Sequence, residues 1–501
     1  MIEIKTYISH IPHTRLLLTF LFLFVFSCSE ENGSGQYEHQ AEVPDPITFD
    51  LDHIRERGSL VAILNNSSTG YFIYRGQPMG YEYELLTLLA TELNLKLQIK
   101  LTSDIDEAIY MLNEGEGDII AFNMAVTSNR QEQVSFTEHH NEVKQVLVQR
   151  KPENWHIMKR HEIDDMVIRN PLALDGKTIH VQRNSAFVTR LKNLSEEIGG
   201  KIEIKQAEIG QDSEALIRKV ADGEIDYTVA DEDVAMVNAT YYSNIDVSTP
   251  ISFPQKIAWA TRSNAPQLLN EVNDWIREMK KQTDYYVIYN KYYKSPKASL
   301  RRVTSTYSSL SSDKISPFDD IFKQAADSLG WDWRLLAAQA FQESKFDISA
   351  ESWAGAIGLM QLLPETGELY GISDMHDPMQ SLQAGAAYLS WLDSIWEKYV
   401  PDSDERIKFV LASYNAGQGH VLDARRLAQK FGKNPASWED VAYFLEKKSE
   451  PEFYKDPVVE SGYCRGREPV NYVEDILNRY ERYKQLVNPE MIIASAAETS
   501  V

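Results

Sequence analysis

Short apolar runs alternate with stretches of helical spacing from about residue 58 to residue 293. The strands and helices of a first series are predicted at residues 60–64, 84–93, 96–99, 104–112 and 118–122, of which the second and fourth are helices. Those of a second series are predicted at residues 177–181, 202–205, 213–220 and 227–230, with a further helix that ends at residue 194. Strands that alternate with helices predict βαβ units, and therefore a parallel sheet covered by helices.

The two series also share a phrase. Residues 115–119 read Gly-Glu-Gly-Asp-Ile and residues 223–227 read Gly-Glu-Ile-Asp-Tyr, and each phrase joins an amphipathic helix to an apolar strand. Two similar α/β lobes side by side leave a cleft between them. Ligands of such sheets bind beyond the carboxyl ends of the strands, so the pattern predicts a two-lobed binding domain.

The pattern changes after residue 293. Residues 294–317 are rich in Ser, Thr, Lys and Arg and contain few apolar positions, which indicates a domain boundary. Beyond it, helical spacing recurs and no segment alternates like a strand. The helices are predicted at residues 321–329, 380–399, 404–416, 421–431, 438–447 and 469–487, with Gly330 ending the first and Asp332 capping the next. The last third of the chain is therefore predicted to be an all-α domain.

Composition and charge limit the number of domains, the class of protein and the partners that can be expected. The 501 residues exceed one ordinary core, so two or three domains are expected, and 43% hydrophobic content is that of a globular protein. The formal net charge of -23 excludes a nucleic-acid partner, because such proteins carry clustered basic surfaces. The 11 histidines are scattered, and we predict neither a metal nor a cofactor.

The N-terminus carries a processing signal. Lys5 and Arg15 precede an unbroken apolar run at residues 16–26, which is too short to span a bilayer and suits a secretory signal. The run ends in Ser27-Cys28, which resembles the lipobox of bacterial lipoproteins. This resemblance implies lipidation of Cys28 and an anchor at the periplasmic face of the outer membrane; a plain signal peptide or an uncleaved anchor are the alternatives. Polar residues 29–49 are predicted to be a tether.

One carboxylate stands on an apolar helix face. Leu336, Ala340 and Glu343 are spaced i, i+4, i+7, so in a helix they share one stripe. A carboxyl that is poorly solvated keeps its proton to a higher pH and can act as a general acid. The alternative is that Glu343 lies at the end of the helix and turns to water.

Five phrases in the α/β region resemble the family 3 extracellular solute-binding proteins. They are Gly80-Tyr81-Glu82, Gly117-Asp118, Thr127-Ser128-Asn129-Arg130, Phe136-Thr137 and Leu174-Asp175-Gly176-Lys177. The resemblance implies that Arg130 binds a ligand's α-carboxylate through its planar fork and that Asp231 binds the α-amine. It further assigns Asn123, Ser185 and either Tyr71 or Phe72 to the cleft.

One position departs from that family. Ala125 stands where these binders often have a hydroxyl. The ligand implied is therefore an amino acid, a peptide that carries amino-acid termini, or a D-amino-acid centre. The alternative for Arg130 is a structural ion pair with an acidic neighbour.

Four phrases in the helical region resemble the transglycosylase SLT domain of lytic murein transglycosylases, which has the lysozyme-like family 23 fold. They are Glu343-Ser344, Gly358-Leu359-Met360-Gln361, Ser413-Tyr414-Asn415-Ala416-Gly417 and the phrase from Glu468 to Val473. The resemblance implies cleavage of the bond between N-acetylmuramic acid and N-acetylglucosamine in peptidoglycan. In this family one Glu is both acid and base, and the C6 hydroxyl of the muramic acid closes a 1,6-anhydro ring.

The same resemblance assigns the residues that contact the glycan. They are Ser344, Gly358, Met360, Gln361, Tyr414, Asn415 and Tyr472, and Tyr472 is expected close to Glu343. Trp353 and Tyr370 are further candidates for stacking on sugar rings. Glycoside cleavage usually uses two carboxyls, yet Glu351 and Glu365 lie in a predicted loop and a helix start. A nucleophile supplied by the substrate itself removes the need for a second one.

These features predict one architecture. It consists of a signal peptide (residues 1–28), a tether (29–49), a two-lobed α/β solute-binding domain (50–293), a linker (294–316), an all-α lysozyme-like domain (317–490) and a tail (491–501). The predicted function is that of a peptidoglycan lytic transglycosylase whose binding domain is regulatory. Two alternatives remain open: a lysozyme-like hydrolase, and a receptor whose helical domain only binds glycan.

Overall fold

The computed structural model describes residues 44–487. The strands in this range are Ser59–Leu64 (β1), Phe72–Tyr74 (β2), Gln77–Met79 (β3), Lys96–Leu101 (β4), Ile119–Ile120 (β5), Val134–Phe136 (β6), Asn141–Val143 (β7), Gln145–Arg150 (β8), Thr178–Val181 (β9), Glu203–Gln206 (β10), Tyr227–Asp231 (β11), Ile245–Pro250 (β12), Gln255–Ile257 (β13) and Ala260–Arg262 (β14).

The helices begin and end as follows. Those of the α/β region and the segment after it are Leu51–Arg57 (α1), Tyr81–Glu92 (α2), Ile105–Asn113 (α3), Ser128–Gln131 (α4), Arg160–Met166 (α5), Ala186–Glu197 (α6), Ser213–Asp222 (α7), Glu232–Asn238 (α8), Pro266–Met279 (α9), Thr283–Tyr293 (α10) and Pro296–Val303 (α11). Those of the helical region are Asp319–Leu329 (α12), Trp333–Ser344 (α13), Pro364–Leu369 (α14), Pro378–Trp396 (α15), Ser403–Ala416 (α16), Gln418–Lys430 (α17), Trp438–Lys447 (α18), Pro451–Tyr454 (α19) and Arg467–Leu486 (α20).

Two five-stranded sheets form the two lobes. Their strand orders are β4-β1-β5-β14-β6 and β10-β9-β11-β8-β12. The first three strands of each order are parallel, as predicted, whereas β14 and β8 run antiparallel to their neighbours. The predicted parallel strands are present, and β8 and β14 make both sheets mixed. The chain passes from the first lobe to the second through β7 and returns through β13, and these two strands pair antiparallel. The strands that follow the two crossings, β8 and β14, run opposite to the parallel strands of their sheets.

Helix α13 lies inside the helical domain and packs against α12 and α20. Its side chains are buried on nearly every side, because the segment is apolar around the whole helix. The Asp332 carboxylate accepts a hydrogen bond from the backbone N–H of Arg334 at 2.9 Å and so caps α13. Gly330 ends α12 in a left-handed conformation, with φ of 72°. Both helix boundaries confirm the sequence prediction.

The β2–β3 hairpin joins the α/β region to the helical domain. At its turn, the carbonyl oxygen of Gly76 accepts a hydrogen bond from the hydroxyl of Tyr483 on α20 at 2.8 Å. The segment after α11 continues this contact, because the N–H of Ser309 donates to the carbonyl of Ile73 at 2.9 Å. The polar segment at residues 294–317 therefore contains a helix and extends the hairpin edge.

Some predicted features fall outside the described residues. These are the signal peptide with the lipidation site Cys28, most of the tether, and the tail at residues 491–501. Within residues 44–487, no helix combines the length and the apolar character that crossing a bilayer requires.

Candidate functional site

Glu343 is the penultimate residue of α13, so it lies at a helix end and still points into the domain. The helix stops there because Lys345 and Phe346 adopt left-handed φ angles of 52° and 65°. The hydroxyl of Tyr472, on α20, donates a hydrogen bond to Glu343 Oε1. Poor solvation raises the pKa of Glu343 to about 7, and the bond from Tyr472 opposes part of that rise. A carboxyl with this pKa can both donate and accept a proton near neutral pH.

Gln339 supports this pair and was not found from the sequence. Its Nε2 lies 3.3 Å from the hydroxyl oxygen of Tyr472, and its side chain is fully buried. Because that oxygen accepts from Gln339, its own proton is directed to Glu343. Gln339 precedes Glu343 by four residues, so their shared helix face was the one signal available in the sequence.

The loop that contains Gly358 is shaped by a close approach of two backbone segments. Gly358 has φ of 77°, and a Cβ at this position would lie 2.0 Å from the carbonyl oxygen of Met375. Only glycine fits there. We expected Gly358 to admit the sugar, but the nearest backbone is that of Met375, so this glycine is required by the packing of the loop.

Met360 and Gln361 also hold this loop together. The Met360 side chain is fully buried, and its carbonyl oxygen accepts a hydrogen bond from the hydroxyl of Tyr414 at 2.8 Å. Gln361 donates from Nε2 to the carbonyl oxygens of Ala350 and Gly358, both at 3.0 Å. These contacts fix the wall beside Glu343, whose charge also helps to raise the pKa of Tyr414.

Three of the remaining candidates differ in exposure. Ser344 is buried, and its hydroxyl donates to the carbonyl oxygens of Leu359 at 2.9 Å and Ala340 at 3.2 Å. It therefore ties α13 to the loop, which is a structural contact. Asn415 is exposed at the end of α16, and Trp353 is exposed over its entire surface. Both side chains are free to meet a glycan.

Ser413 has a structural role in the helical domain. The indole Nε1 of Trp396 donates to the hydroxyl of Ser413 at 2.8 Å, and neither residue is exposed. A buried indole N–H requires an acceptor, and Ser413 supplies it. Gly417 caps the end of α16, with its N–H bonded to the Ser413 carbonyl at 2.8 Å.

The second site is the cleft between the two lobes of the α/β domain. Asn123, Arg130, Ser185 and Asp231, all predicted from the sequence, line one cavity. Arg130 donates to the backbone carbonyl oxygens of Ala125 at 3.0 Å and of Asn184, on the opposite lobe, at 3.2 Å. Asn123 donates to Asp231 across the cleft at 3.0 Å. The lobes are thus bridged by the residues that line the cavity.

Burial changes the ionisation of both charged groups. It lowers the pKa of Arg130 to about 10, which leaves the guanidinium charged at neutral pH. It raises the pKa of Asp231 well above its usual value, and the nearby Asp233 adds to that rise. A cation brought to Asp231 would favour its ionised form.

Tyr71, which was predicted to contact the ligand, is not among the residues that line this cavity. Its ring packs on Tyr83 with centroids 5.4 Å apart, and burial raises the pKa of Tyr71, whereas the charges of Arg482 and Arg479 on α20 oppose that rise. Tyr71 directly precedes the hairpin that contacts the helical domain, and its side chain lies on the side of that domain. The alternative, Phe72, is also outside the cavity. The aromatic residues that do line it are Phe122 and Phe187.

Comparison with known proteins finds two family matches along the chain. Residues 61–295 match the bacterial extracellular solute-binding proteins of family 3, and residues 320–437 match the transglycosylase SLT domain. Among solved structures, an ancestral arginine-binding protein bound to arginine shares 24% identity and a TM-score of 0.40, covering 47% of this chain and 99% of that one. An ancestral amino acid-binding protein, a precursor of cyclohexadienyl dehydratase, shares 26% identity with a TM-score of 0.39, covering 48% and 98%.

Two curated relatives match most of the chain. The membrane-bound lytic murein transglycosylase F of Desulfosudis oleivorans is 34% identical over 432 residues, which cover 86% of this chain and 91% of the relative. That of Pseudomonas fluorescens is 29% identical over 478 residues, which cover 95% and 92%. The chain therefore belongs to the membrane-bound lytic murein transglycosylase F family and is a peptidoglycan lytic transglycosylase that carries a solute-binding domain.

Proposed function

We propose that Glu343 is the single acid and base of the lytic reaction. The observation that carries this proposal is the poorly solvated Glu343 carboxyl, held by the Tyr472 hydroxyl at the end of α13. Its pKa of about 7 leaves a large protonated fraction at neutral pH. The rise comes from poor solvation, the bond from Tyr472 opposes part of it, and no second carboxylate in the described part of the chain contributes.

The reaction then needs one protein carboxyl. Protonated Glu343 donates its proton to the glycosidic oxygen as the bond to C1 of N-acetylmuramic acid breaks. The resulting carboxylate takes the proton of the C6 hydroxyl of the same sugar, and that oxygen bonds to C1. The products are a free hydroxyl on N-acetylglucosamine and a 1,6-anhydro end, and Glu343 regains its proton. A nucleophile within the bound substrate has a high effective concentration, which replaces a second carboxylate.

Product analysis tests this assignment. Purified peptidoglycan is digested with the full chain, with Glu343→Gln, and with Glu351→Gln as a matched control on an exposed loop residue. We expect anhydro products, each lighter by one water than a hydrolysis product, from the wild type and the control. Activity of Glu343→Gln should fall by roughly 10²–10⁴-fold. Reducing ends would instead favour the hydrolase, and an active Glu343→Gln would contradict the assignment.

We also propose that the α/β cleft binds an amino acid or a peptide terminus, with the α-carboxylate on Arg130 and the α-amine on Asp231. Both groups line one cavity, and Asn123 and Ser185 add polar contacts. Arg130→Ala should abolish the rise in Tm that a ligand causes in the wild type. Activity of Arg130→Ala without ligand should match that of the wild type.

Regulation of the enzyme by this ligand has a physical route. Residues Asn65, Ser67 and Thr69 line the cavity, and the chain continues from them into the β2–β3 hairpin. The turn of that hairpin, at Gly76, packs against Phe341 on the catalytic helix. A ligand that favours one arrangement of the lobes would bias this contact. Lytic rates measured with and without ligand test it, because equal rates would contradict regulation.

We also propose that a lipid on Cys28 anchors the protein at the periplasmic face of the outer membrane. This proposal rests on the lipobox-like end of the apolar run at residues 16–26. Cys28→Ser should convert a protein that resists extraction by salt into a soluble one. Release of the wild type by salt alone would contradict the anchor.

A further inference from the structure

Helix α7 adds two carboxylates to the wall of the α/β cleft. Asp212 caps the helix by accepting from the N–H of Ala215 at 2.9 Å, and Glu214 follows in the first turn. Both line the same cavity as Arg130 and Asp231. The charged side chains that line this cavity, among the described residues, are therefore three carboxylates and one guanidinium, and Arg218 lies near Asp212 outside the lining. An amino acid with a neutral side chain would pair with Arg130 and one carboxylate alone.

One carboxylate oxygen in the cavity lacks a partner. Asp231 is 6% exposed, and its Oδ1 is buried without a hydrogen-bond partner in the described structure. Its Oδ2 accepts from Asn123 at 3.0 Å. The fork of Arg130 is directed to the backbone carbonyl oxygens of Ala125 and Asn184. Leaving a buried acceptor unpaired is costly, so Asp231 Oδ1 is placed for a donor that enters with a ligand.

Glu214 lies where the two lobes meet. Its two carboxylate oxygens accept from the backbone N–H of Ser68, on the opposite lobe, at 3.0 and 3.1 Å, and Oε1 also accepts from the Ser68 hydroxyl at 2.8 Å. Burial and the neighbouring Asp212 raise the pKa of Glu214 to about 7. The donors to the Glu214 carboxylate are therefore uncharged. A cation would form a stronger, charge-assisted hydrogen bond with it.

We propose that the cleft is specific for a basic ligand, an amino acid or amino-acid terminus that carries a cationic side chain. Its α-carboxylate binds Arg130, its α-ammonium binds Asp231, and its side-chain cation lies at Glu214 and Asp212. A ligand with one negative and two positive groups matches this wall, whose formal charges are one positive and three negative. This inference rests on the proposed ligand-binding function of the cleft and names the chemical class of the ligand.

Pairs of amino acids with and without a side-chain cation test the specificity. L-arginine and L-citrulline have side chains of nearly the same shape and differ mainly in charge, and L-norleucine is L-lysine without the ε-amino group. Titration calorimetry on the full chain should give a Kd for the better basic ligand that is roughly 10–100-fold lower than for its neutral partner. Glu214→Gln should reduce this preference to within about threefold, with little change for the neutral partner.

Two further variants separate charge from folding. Asp212→Asn keeps a side chain that caps helices well and removes only the charge, so it should weaken basic ligands without unfolding α7. Glu208→Gln, at an exposed position on the same lobe, removes one charge away from the cavity and should leave the preference intact.

The outcomes distinguish a failure of this inference from a failure of the ligand-binding proposal on which it rests. If none of the four amino acids binds or raises the Tm, the ligand-binding proposal for the cleft fails, and this inference fails with it. If citrulline or norleucine binds as tightly as its basic partner, the cleft is a ligand site but the cationic subsite is wrong. The same conclusion follows if Glu214→Gln and Asp212→Asn both keep the wild-type preference.

Discussion

Tyr472 donates a hydrogen bond to Oε1 of Glu343 across the contact between α20 and α13. The two residues are 129 positions apart in the chain. The bond favours the ionised carboxylate, whereas poor solvation favours the neutral acid. Poor solvation is the larger effect, so the pKa of Glu343 rises to about 7. Tyr472 therefore sets how far the acid is shifted, and Gln339 directs the tyrosine proton to it.

Removing the Tyr472 hydroxyl should move the pH profile of the enzyme. In Tyr472→Phe the bond that lowers the pKa of Glu343 is lost, so this pKa rises further and the alkaline limb of kcat moves to higher pH. We expect kcat at the optimum to fall by roughly tenfold, the cost of one hydrogen bond to a charged group.

A tyrosine on the same helix supplies the control. Tyr480 donates to Asp332 at 3.1 Å, at the other end of α13. Tyr480→Phe should leave the alkaline limb where it is. An unshifted limb in Tyr472→Phe, with normal folding, would argue against a bond between Tyr472 and Glu343.

Glu343→Gln should stabilise the protein at alkaline pH. A carboxyl whose pKa rises from 4.5 to about 7 on folding contributes stability that is complete below pH 4.5 and is lost as the pH rises through 7. Glutamine stays neutral throughout. The Tm of the variant should match the wild type near pH 5 and exceed it by about 2 °C at pH 8. A Tm difference that does not change with pH would contradict a raised pKa.

Gly76→Ala should weaken the contact between the hairpin and the helical domain. Gly76 has φ of 75°, and an added Cβ would lie 2.5 Å from Phe346 Cε2 and 2.8 Å from the Tyr483 hydroxyl. Overpacking of this kind costs about 1–3 kcal/mol, so thermal melting should show a Tm several degrees lower.

Gly176→Ala separates this crowding from backbone strain. Gly176 has a similar φ of 70°, but its added Cβ meets no atom within 4 Å. Both variants carry the cost of a left-handed alanine, and Gly76→Ala alone carries the crowding. Equal losses of Tm in the two variants would show that the packing of the hairpin turn contributes nothing.

Ser413→Ala should destabilise the helical domain without changing its chemistry. The variant leaves the Trp396 indole N–H buried without an acceptor, which costs about 1–3 kcal/mol. Melting curves should show the loss, whereas kcat should be unchanged. Ser390→Ala, at an exposed position of α15, is the matched control and should melt like the wild type.

Local pattern was sufficient for most of the elements. The strand at β1 and the helices α12, α16, α18 and α20 are close to their predicted ranges, because hydrophobic spacing reflects which side of an element is buried. Spacing alone left Glu343 open between an acid and a residue turned to water, and the resemblance of the neighbouring phrases to the SLT domain favoured the acid. The direction of β8 and β14 was not predictable in the same way, since it depends on how the chain crosses between the lobes.

The two α/β series and the helical last third follow from residue types and their spacing in the sequence. Glu343 and the cleft residues Arg130 and Asp231 were indicated by the resemblance of short phrases in the sequence to known families. Only the tertiary structure decided that Gln339 supports Tyr472, that Tyr71 faces the helical domain, and that Glu214 shares the cavity of Arg130. These relationships join residues far apart in the chain, and packing between whole elements sets them, which spacing within a segment does not record.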